Sequence, residues 1–149
     1  MREMRFDKKN IILDVTDENQ EQVLRRIATK ASELGYTNSA EAVTQDFLER
    51  EKEFSTGFGN GVAIPHAKSD DVKEATVFFV RLTKGVDWNS MDDSLVKDVI
   101  AIMVPIKASK EHLDTLAKLS RKIIHSDFID QLNSGNKDTI LDLISETIS

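Results

Sequence analysis

Three side chains in this chain have the chemistry to work on an anionic group: His66, His112 and Arg50. An imidazole can act as a nucleophile, a general base or a metal ligand, and its reference pKa of about 6.5 leaves it mostly neutral at pH 7. A guanidinium carries a permanent charge on a planar fork that matches the oxygens of a phosphoryl group. Together they predict a site that could receive an anion within an acidic protein.

His66 ends a short motif, GFGNGVAIPH, that begins at Gly57. Its glycines, at every second position, give the backbone freedom and leave room for another molecule. Residues 62–64 read as a short buried strand, and Pro65 is expected to end its ladder. We expect His66 to lie at the end of a rigid element beside an accessible loop, where a reactive group can meet a partner. The alternative is a histidine that only caps a turn.

The other two candidates are placed by predicted helices. His112 falls in the first turn of a helix capped by Ser109, where the partial positive charge disfavours imidazolium and free N–H groups attract phosphoryl oxygens. Arg50 follows Phe47 by three residues and Val43 by seven, which places it on the apolar face of its helix. The simpler alternatives are a surface histidine without a task and an arginine whose charged end reaches out to solvent.

The remaining polar candidates have local explanations. His125 is expected to close a helix, where a cation is favourable. Lys68 is expected to be solvated. Acidic residues that fall in predicted turns, where they can bond to the local backbone, are Asp70, Asp71, Asp92 and Asp93. The sequence lacks HExxH, P-loop, GxSxG and EF-hand patterns, and no spacing supports a site made of His66, His112 and Asp70, so we expect no metal and no cofactor.

Composition narrows the class of protein. The net charge of −6 at pH 7 argues against nucleic-acid binding, since phosphate backbones demand a basic surface. The length of 149 residues predicts one domain over residues 1–149. The chain has no cysteine, which excludes disulfides and thiolate chemistry. It has no apolar run of roughly 20 residues and no secretory core at its N-terminus, so we expect a cytoplasmic protein without membrane insertion.

Alternating strand and helix patterns predict an α/β domain with helices on both faces of a small sheet. Strands are predicted at residues 11–15, 62–64, 76–82 and 99–104. The last two are almost continuously apolar, which is typical of interior strands covered on both faces. Helices are predicted from a cap at Thr16 to Leu34, from Asn38 or Ser39 to about Phe54, from Ser109, over residues 126–133, and after Asn136.

Two of these helices have predicted buried faces that bear on the site. The inward side of the second helix is predicted to carry Ala40, Val43, Phe47 and Phe54. The inward side of the helix that begins at Ser109 is predicted to carry Leu113, Leu116, Ala117, Ile123 and Ile124. Both assignments rest on helical spacing alone.

The run STGFGNGVAIPH, residues 55–66, resembles the active-site signature of enzyme IIA of the fructose/mannitol type. These enzymes are cytoplasmic components of the bacterial phosphoenolpyruvate-dependent sugar phosphotransferase system. The likeness covers nearly the whole chain, and continues through Arg81-Leu82, Gly85-Val86-Asp87-Trp88, Val104-Pro105, His112-Leu113 and Leu116-Ala117-Lys118-Leu119. One departure is Asp92-Asp93, where relatives often have Asp-Gly.

The resemblance implies a three-layer α/β/α sandwich with a small mixed β-sheet. It also implies that His66 is phosphorylated at Nε2 by the phosphocarrier protein HPr, and that the phosphoryl group then passes to a cysteine of a sugar-specific enzyme IIB. His112 would bond a phosphoryl oxygen, and Arg50 would offset the transition-state charge. The glycines would give clearance to the two successive protein partners.

Three alternatives stay open on the sequence. A regulatory, nitrogen-related phosphocarrier would use the same His66 chemistry but act by binding target proteins. A pure binding module of the same fold would have no need of His66, His112 and Arg50 together. A metal-dependent hydrolase would require a metal. The sugar is expected to be chosen by a membrane component that this chain does not contain.

Overall fold

A single mixed sheet organises the chain in a computed structural model that describes residues 4–149. Residues 1–3, on which the targeting expectation partly rests, lie outside the described residues. So do the side chains of Ala108, Ser109 and Glu111, and with them the predicted Ser109 cap. The strands are β1 (Ile11–Val15), β2 (Gly57–Gly59), β3 (Val62–Ala63), β4 (His66–Lys68), β5 (Thr76–Val86) and β6 (Val96–Val104).

The strand order is β1-β5-β6-β3-β2, and β4 also pairs with β6. The two long central strands, β5 and β6, are antiparallel, while β1 runs parallel to β5. Both β3 and β4 run parallel to β6, so β4 continues along β6 where β3 has ended. This arrangement confirms the predicted mixed sheet.

Five helices cover the two faces of the sheet: α1 (Gln20–Glu33), α2 (Ala40–Glu53), α3 (Ser109–Lys122), α4 (Ser126–Ser134) and α5 (Lys137–Ile148). One core contains side chains of α1 and α2, and the other contains side chains of α3, α4 and α5. Successive side chains of β5 point to opposite faces of the sheet, so Phe78 lies in one core and Phe79 in the other. The three-layer α/β/α sandwich is therefore confirmed, as are interior strands covered on both faces.

Helix ends follow local capping chemistry, with one correction. Ser39 and Asn136 cap α2 and α5 as predicted, since their side-chain oxygens accept from backbone N–H groups in the first turn. The predicted cap at Thr16 is wrong, because α1 begins at Gln20 and the Asn19 side chain accepts from the Gln22 N–H at 2.9 Å. Asparagine is the stronger N-cap of the two.

The strand around the motif also differs from the prediction. Pro65 does not end the ladder, because β4 begins at the next residue and places His66 opposite Ile102. A proline lacks only the N–H, and the Pro65 carbonyl still accepts from the Ile102 N–H at 2.9 Å. His66 thus lies on a strand and not on a loop, and its backbone is fixed by pairing with β6.

Four residues assigned to buried faces are exposed. Phe54 is 75% exposed because α2 ends at Glu53 and Phe54 is already extended. Leu113 and Ile124 are 64% and 73% exposed, and Ala117 is exposed as well. The buried stripe of α3 and the turn after it lies elsewhere and is made of His112, Thr115, Leu119 and Ile123. This rotation turns His112 into the protein.

Candidate functional site

His66, Arg50 and His112 meet at one point, although they come from three different elements. Arg50 lies near the end of α2, His66 begins β4, and His112 lies in the first turn of α3. The Arg50 Nε donates to the His66 Nε2 at 2.9 Å. The two imidazole rings are 4.7 Å apart between centroids and meet edge to face. The three residues singled out on the sequence therefore form one cluster between the helix layers.

The hydrogen bonds of His66 assign its tautomer. Its Nδ1 lies 2.9 Å from the carbonyl oxygen of Ile64. Because a carbonyl only accepts, Nδ1 must carry the hydrogen. In the neutral ring this leaves a lone pair on Nε2, which accepts from Arg50. The more nucleophilic nitrogen is therefore Nε2, the atom that the family resemblance implies.

Burial keeps His66 neutral. Only 7% of the residue is exposed, and this desolvation is the main cause that lowers its pKa. The positive charges of Arg50 and Lys68 lower the pKa further, while the bond to the Ile64 carbonyl opposes them. A neutral imidazole is the form that can attack an electrophile.

His112 is held neutral even more strongly. Burial is the main cause that lowers its pKa to about 4, followed by its electrostatic interaction with His66 and by the positive charges of Lys68 and Arg50. Its Nδ1 is buried and has no hydrogen-bond partner among the described residues. His112 is therefore not a surface histidine, because the residue is 4% exposed and its ring contacts that of His66.

Arg50 is held at two points. Its Nη1 donates to the carbonyl of Phe54 at 2.9 Å, and its Nε donates to His66. The guanidinium of this half-exposed residue therefore bridges the end of α2 and the start of β4. A cation fixed next to a neutral nucleophile can stabilise negative charge that arrives there.

Gly57 and Gly59 pack closely against other residues of the chain, and neither position has room for a side chain. A Cβ on Gly57 would lie 2.5 Å from the Ser90 Oγ, and one on Gly59, whose φ is +107°, would lie 2.9 Å from an Asp92 oxygen. The same Asp92 accepts from the Asn60 N–H at 3.0 Å. Internal packing, rather than clearance for a partner, accounts for these two glycines. The Asp92-Asp93 turn, remote in sequence, thus contacts the motif directly.

Exposed apolar side chains adjoin the site. Phe54 follows α2, Leu113 follows His112, and Ile106 comes two residues after the end of β6, beside β4. Each is more than half exposed. Large apolar side chains gathered around a reactive group are typical of a surface that binds another protein. Lys68 is exposed beside them, as expected.

Sequence reasoning missed a second layer of the site. Glu51, Thr56 and Trp88 are joined by hydrogen bonds behind Arg50 and His66. The available signals were a carboxylate directly after Arg50 and a hydroxyl directly before the glycine run. The third member, Trp88, is distant in sequence and could not be associated with the other two.

Over the described residues 4–149, no group of three or more His, Asp or Glu side chains could hold a metal ion. None of the helices described there is long and apolar enough to cross a membrane. His125 lies exposed between α3 and α4, directly before the first residue of α4.

Comparison with known proteins identifies the family of this chain. Residues 4–147 match the family described as "Phosphoenolpyruvate-dependent sugar phosphotransferase system, EIIA 2". The fructose-like EIIA component of Escherichia coli is 38% identical over 139 residues, which are 93% of this chain and 94% of that protein.

Solved structures share the fold. Nitrogen regulatory protein IIA-Ntr from Neisseria meningitidis superposes with a TM-score of 0.86 at 28% identity, covering 93% of this chain and 94% of that one. The Escherichia coli mannitol enzyme IIA, solved in complex with phosphorylated enzyme IIB, gives 0.81 at 24% identity and covers 96% and 99%. With the family match over nearly its full length, the chain belongs to the type-2 enzyme IIA family of the phosphoenolpyruvate-dependent sugar phosphotransferase system.

Proposed function

We propose that this chain carries a phosphoryl group on His66 between two proteins. It accepts the group from the phosphohistidine of HPr and passes it to a cysteine of a sugar-specific enzyme IIB, in the cytoplasm. The observation that carries the proposal is the hydrogen bonding of His66. The Nδ1–H is committed to the Ile64 carbonyl, which leaves the Nε2 lone pair beside a fixed guanidinium.

The transfer needs no proton movement at His66. As the donor's phosphorus approaches, the Arg50 Nε–H leaves the Nε2 lone pair, which then forms the new N–P bond. The donor's N–P bond breaks, and its electron pair stays on the donor nitrogen. The Nδ1 proton remains bonded to Ile64 throughout, so the phosphorylated ring stays in place. The second step breaks the bond at Nε2 and forms an S–P bond to a thiolate.

Catalysis is then positioning and charge. The loose transition state of phosphoryl transfer spreads charge over three oxygens. Arg50, once released from Nε2, can donate to those oxygens, and so can the ring N–H of neutral His112. A buried site strengthens both interactions. We propose these roles for the three residues.

The partners are proposed from the surface and the family. The apolar side chains of Phe54, Ile106 and Leu113 suit a small interface that can be released and reused. The mannitol enzyme IIA that shares this fold was solved with phosphorylated enzyme IIB. Since the chain has a net charge of −6, the local cations Arg50 and Lys68 would have to attract the phosphoryl group.

A second candidate is a regulatory phosphocarrier. It is favoured by the nitrogen regulatory protein, which superposes on this chain with a TM-score of 0.86. The first step would be the same, but the phosphorylated protein would bind targets and would not supply a sugar. Passage of the label to a purified enzyme IIB supports transport, and neighbouring genes for a permease and an enzyme IIB would point the same way.

The test is phosphorylation by phosphoenolpyruvate, enzyme I and HPr. We expect an acid-labile, base-stable adduct on the chain, lost in His66→Ala and kept in the matched control His125→Ala, which removes an exposed imidazole. Mass spectrometry of the intact protein at high pH measures both. An unlabelled wild-type chain, beside a control enzyme IIA that becomes labelled, contradicts the proposal.

A further inference from the structure

Behind the site, a carboxylate, a hydroxyl and an indole form a closed hydrogen-bonded group. Glu51 accepts the Thr56 N–H at 2.9 Å with one oxygen and the Thr56 hydroxyl with the other. The Thr56 Oγ1 in turn accepts from the Trp88 Nε1 at 3.0 Å. Thr56 and Trp88 are each 1% exposed. Every side-chain polar atom of this trio is therefore hydrogen-bonded, in a place where an unmade bond is costly.

The group is connected to His66 through the backbone. The Thr56 carbonyl accepts from the Ile64 N–H at 2.9 Å. The carbonyl of the same Ile64 accepts from the His66 Nδ1. Two successive bonds thus link Thr56 to the ring, so the position of Thr56 sets the position of the acceptor that fixes the His66 tautomer.

The same segment also supports Arg50. The Phe54 carbonyl, two residues before Thr56, accepts from the Arg50 Nη1. Between them, the Ser55 hydroxyl donates to the Trp88 carbonyl at 2.5 Å. Residues 54–56 are therefore clamped to Trp88 and Glu51, and both the cation and the nucleophile depend on that segment.

We infer that Glu51, Thr56 and Trp88 form a positioning unit for phosphoryl transfer, which holds His66 in its Nδ1–H tautomer and Arg50 at Nε2. None of the three touches the reacting atoms. The inference rests on the proposed function for its catalytic consequence, whereas its structural part, the fixed tautomer, does not. The cost of burying Glu51, which raises the pKa of its carboxyl, is offset by the bonds from Thr56.

The first test is Glu51→Gln. A glutamine oxygen can accept from the Thr56 N–H, but its amide N–H₂ then faces the Thr56 hydroxyl, whose hydrogen loses its acceptor. We expect the rate of phosphorylation by phospho-HPr to fall about tenfold to a hundredfold, as for a misplaced reacting group. The KM for phospho-HPr should change little, because the surface is intact. The matched control is Glu49→Gln on the same helix, an exposed residue whose ion pair is with Lys52.

A second readout does not depend on activity. Nitrogen-15 chemical shifts of the His66 ring report its tautomer, and we expect widely separated Nδ1 and Nε2 shifts in the wild type that move toward each other in Glu51→Gln. If Glu51→Gln does not fold, Trp88→Phe decides, since it keeps most of the ring volume and removes only the N–H donor. Thr56→Ser, which keeps the hydroxyl, should retain the wild-type rate and shifts.

The outcomes separate the two proposals. A folded Glu51→Gln or Trp88→Phe with wild-type rate and wild-type shifts overturns the positioning unit. A wild-type chain that HPr cannot phosphorylate contradicts the proposed function, while the ring shifts still decide whether the unit fixes the tautomer. A fall in rate matched by an equal loss of folded protein, without any change in the shifts, also overturns the inference.

Discussion

His66 and Asp98 are two buried ionisable residues on neighbouring strands, and they are built in opposite ways. His66 pairs with Ile102 on β6, and Asp98 lies four residues earlier on β6, opposite Arg81. Both ring nitrogens of His66 are hydrogen-bonded. Neither carboxylate oxygen of Asp98 has a hydrogen-bond partner among the described residues, and Asp98 is 1% exposed. One group is positioned, and the other is only enclosed.

The charged neighbour differs as well. Arg50 donates directly to His66, whereas the Arg81 Nε is 3.9 Å from the nearest Asp98 oxygen. Arg81 instead donates to the carbonyls of Leu132 and Gly135 at the end of α4. Arg81 therefore serves the fold by closing a helix, and Asp98 is left beside it without a bond.

The difference shows that a perturbed pKa does not identify a functional residue by itself. Burial raises the pKa of Asp98 to about 7, a larger departure than most in this chain. Yet neither of its carboxylate oxygens is hydrogen-bonded to a described residue, and its side chain is enclosed. A candidate site is better identified by a side chain that hydrogen bonds orient next to an accessible surface, as at His66, than by the size of a pKa shift.

The largest expected effect tests the enclosed group. The pKa of Asp98 lies above its usual value, so the folded chain binds this proton more tightly than the unfolded chain, and the free energy of unfolding falls as pH rises from about 4 to about 7. Asp98→Asn removes that loss. We expect the variant to match the wild type near pH 4 and to be about 2–4 kcal/mol more stable at pH 8, measured by urea unfolding at each pH.

The variant also exposes the contribution of His112. The pKa of His112 is lowered to about 4, so its contribution has the opposite sign: stability is present above pH 6.5 and is lost as pH falls toward 4. Within that range the two groups oppose each other in the wild type. Transfer rates should be unchanged in Asp98→Asn. A variant with a wild-type stability curve, or with slowed transfer, would remove the contrast between the two regions.

The next effect tests the positioned group. Arg50→Lys keeps the charge but loses the planar fork that bonds both Phe54 and His66. We expect the rate of His66 phosphorylation to fall about tenfold to a hundredfold, with the free energy of unfolding within about 1 kcal/mol of the wild type. Rapid-quench kinetics with phospho-HPr measure the rate, and the control is Arg25→Lys on α1, which replaces a guanidinium that pairs with Glu21 and Glu41. A wild-type rate would show that the fork is not used.

Much of this molecule could be predicted from its sequence, and the errors have physical causes. Helix and strand periods located five helices and the two central strands, because burial on one or both faces leaves a regular pattern. The pattern failed at Phe54 and Leu113. Phe54 lies just past the end of a helix, and Leu113 lies on the outward face of another. Both are exposed next to the candidate site, so helical spacing alone could not assign them correctly.

The three residues of the candidate site could be predicted from the sequence, but the residues that position them could not. His66, Arg50 and His112 could be selected because their types and spacing suit phosphoryl chemistry. Their meeting at one point depends on β4 resuming after Pro65 and on α3 turning His112 inward, and both are tertiary effects. Trp88 could not be associated with Thr56 from the sequence, since their contact spans 32 residues of chain.

The smallest expected effect concerns pH and bears on the positioned group alone. Burial lowers the pKa of His66 below its reference value of about 6.5. A free imidazole is half protonated at pH 6.5. Because the pKa of His66 is lower, less than half of His66 should be protonated at that pH. We therefore expect the fraction of neutral His66 to fall by less than about twofold between pH 7.5 and 6.5. Nitrogen-15 titration of the ring measures it without reliance on the donor. A midpoint at or above pH 6.5 would mean that burial does not lower the pKa of His66. The contrast between His66 and Asp98 would then rest on the hydrogen bonds of His66 alone.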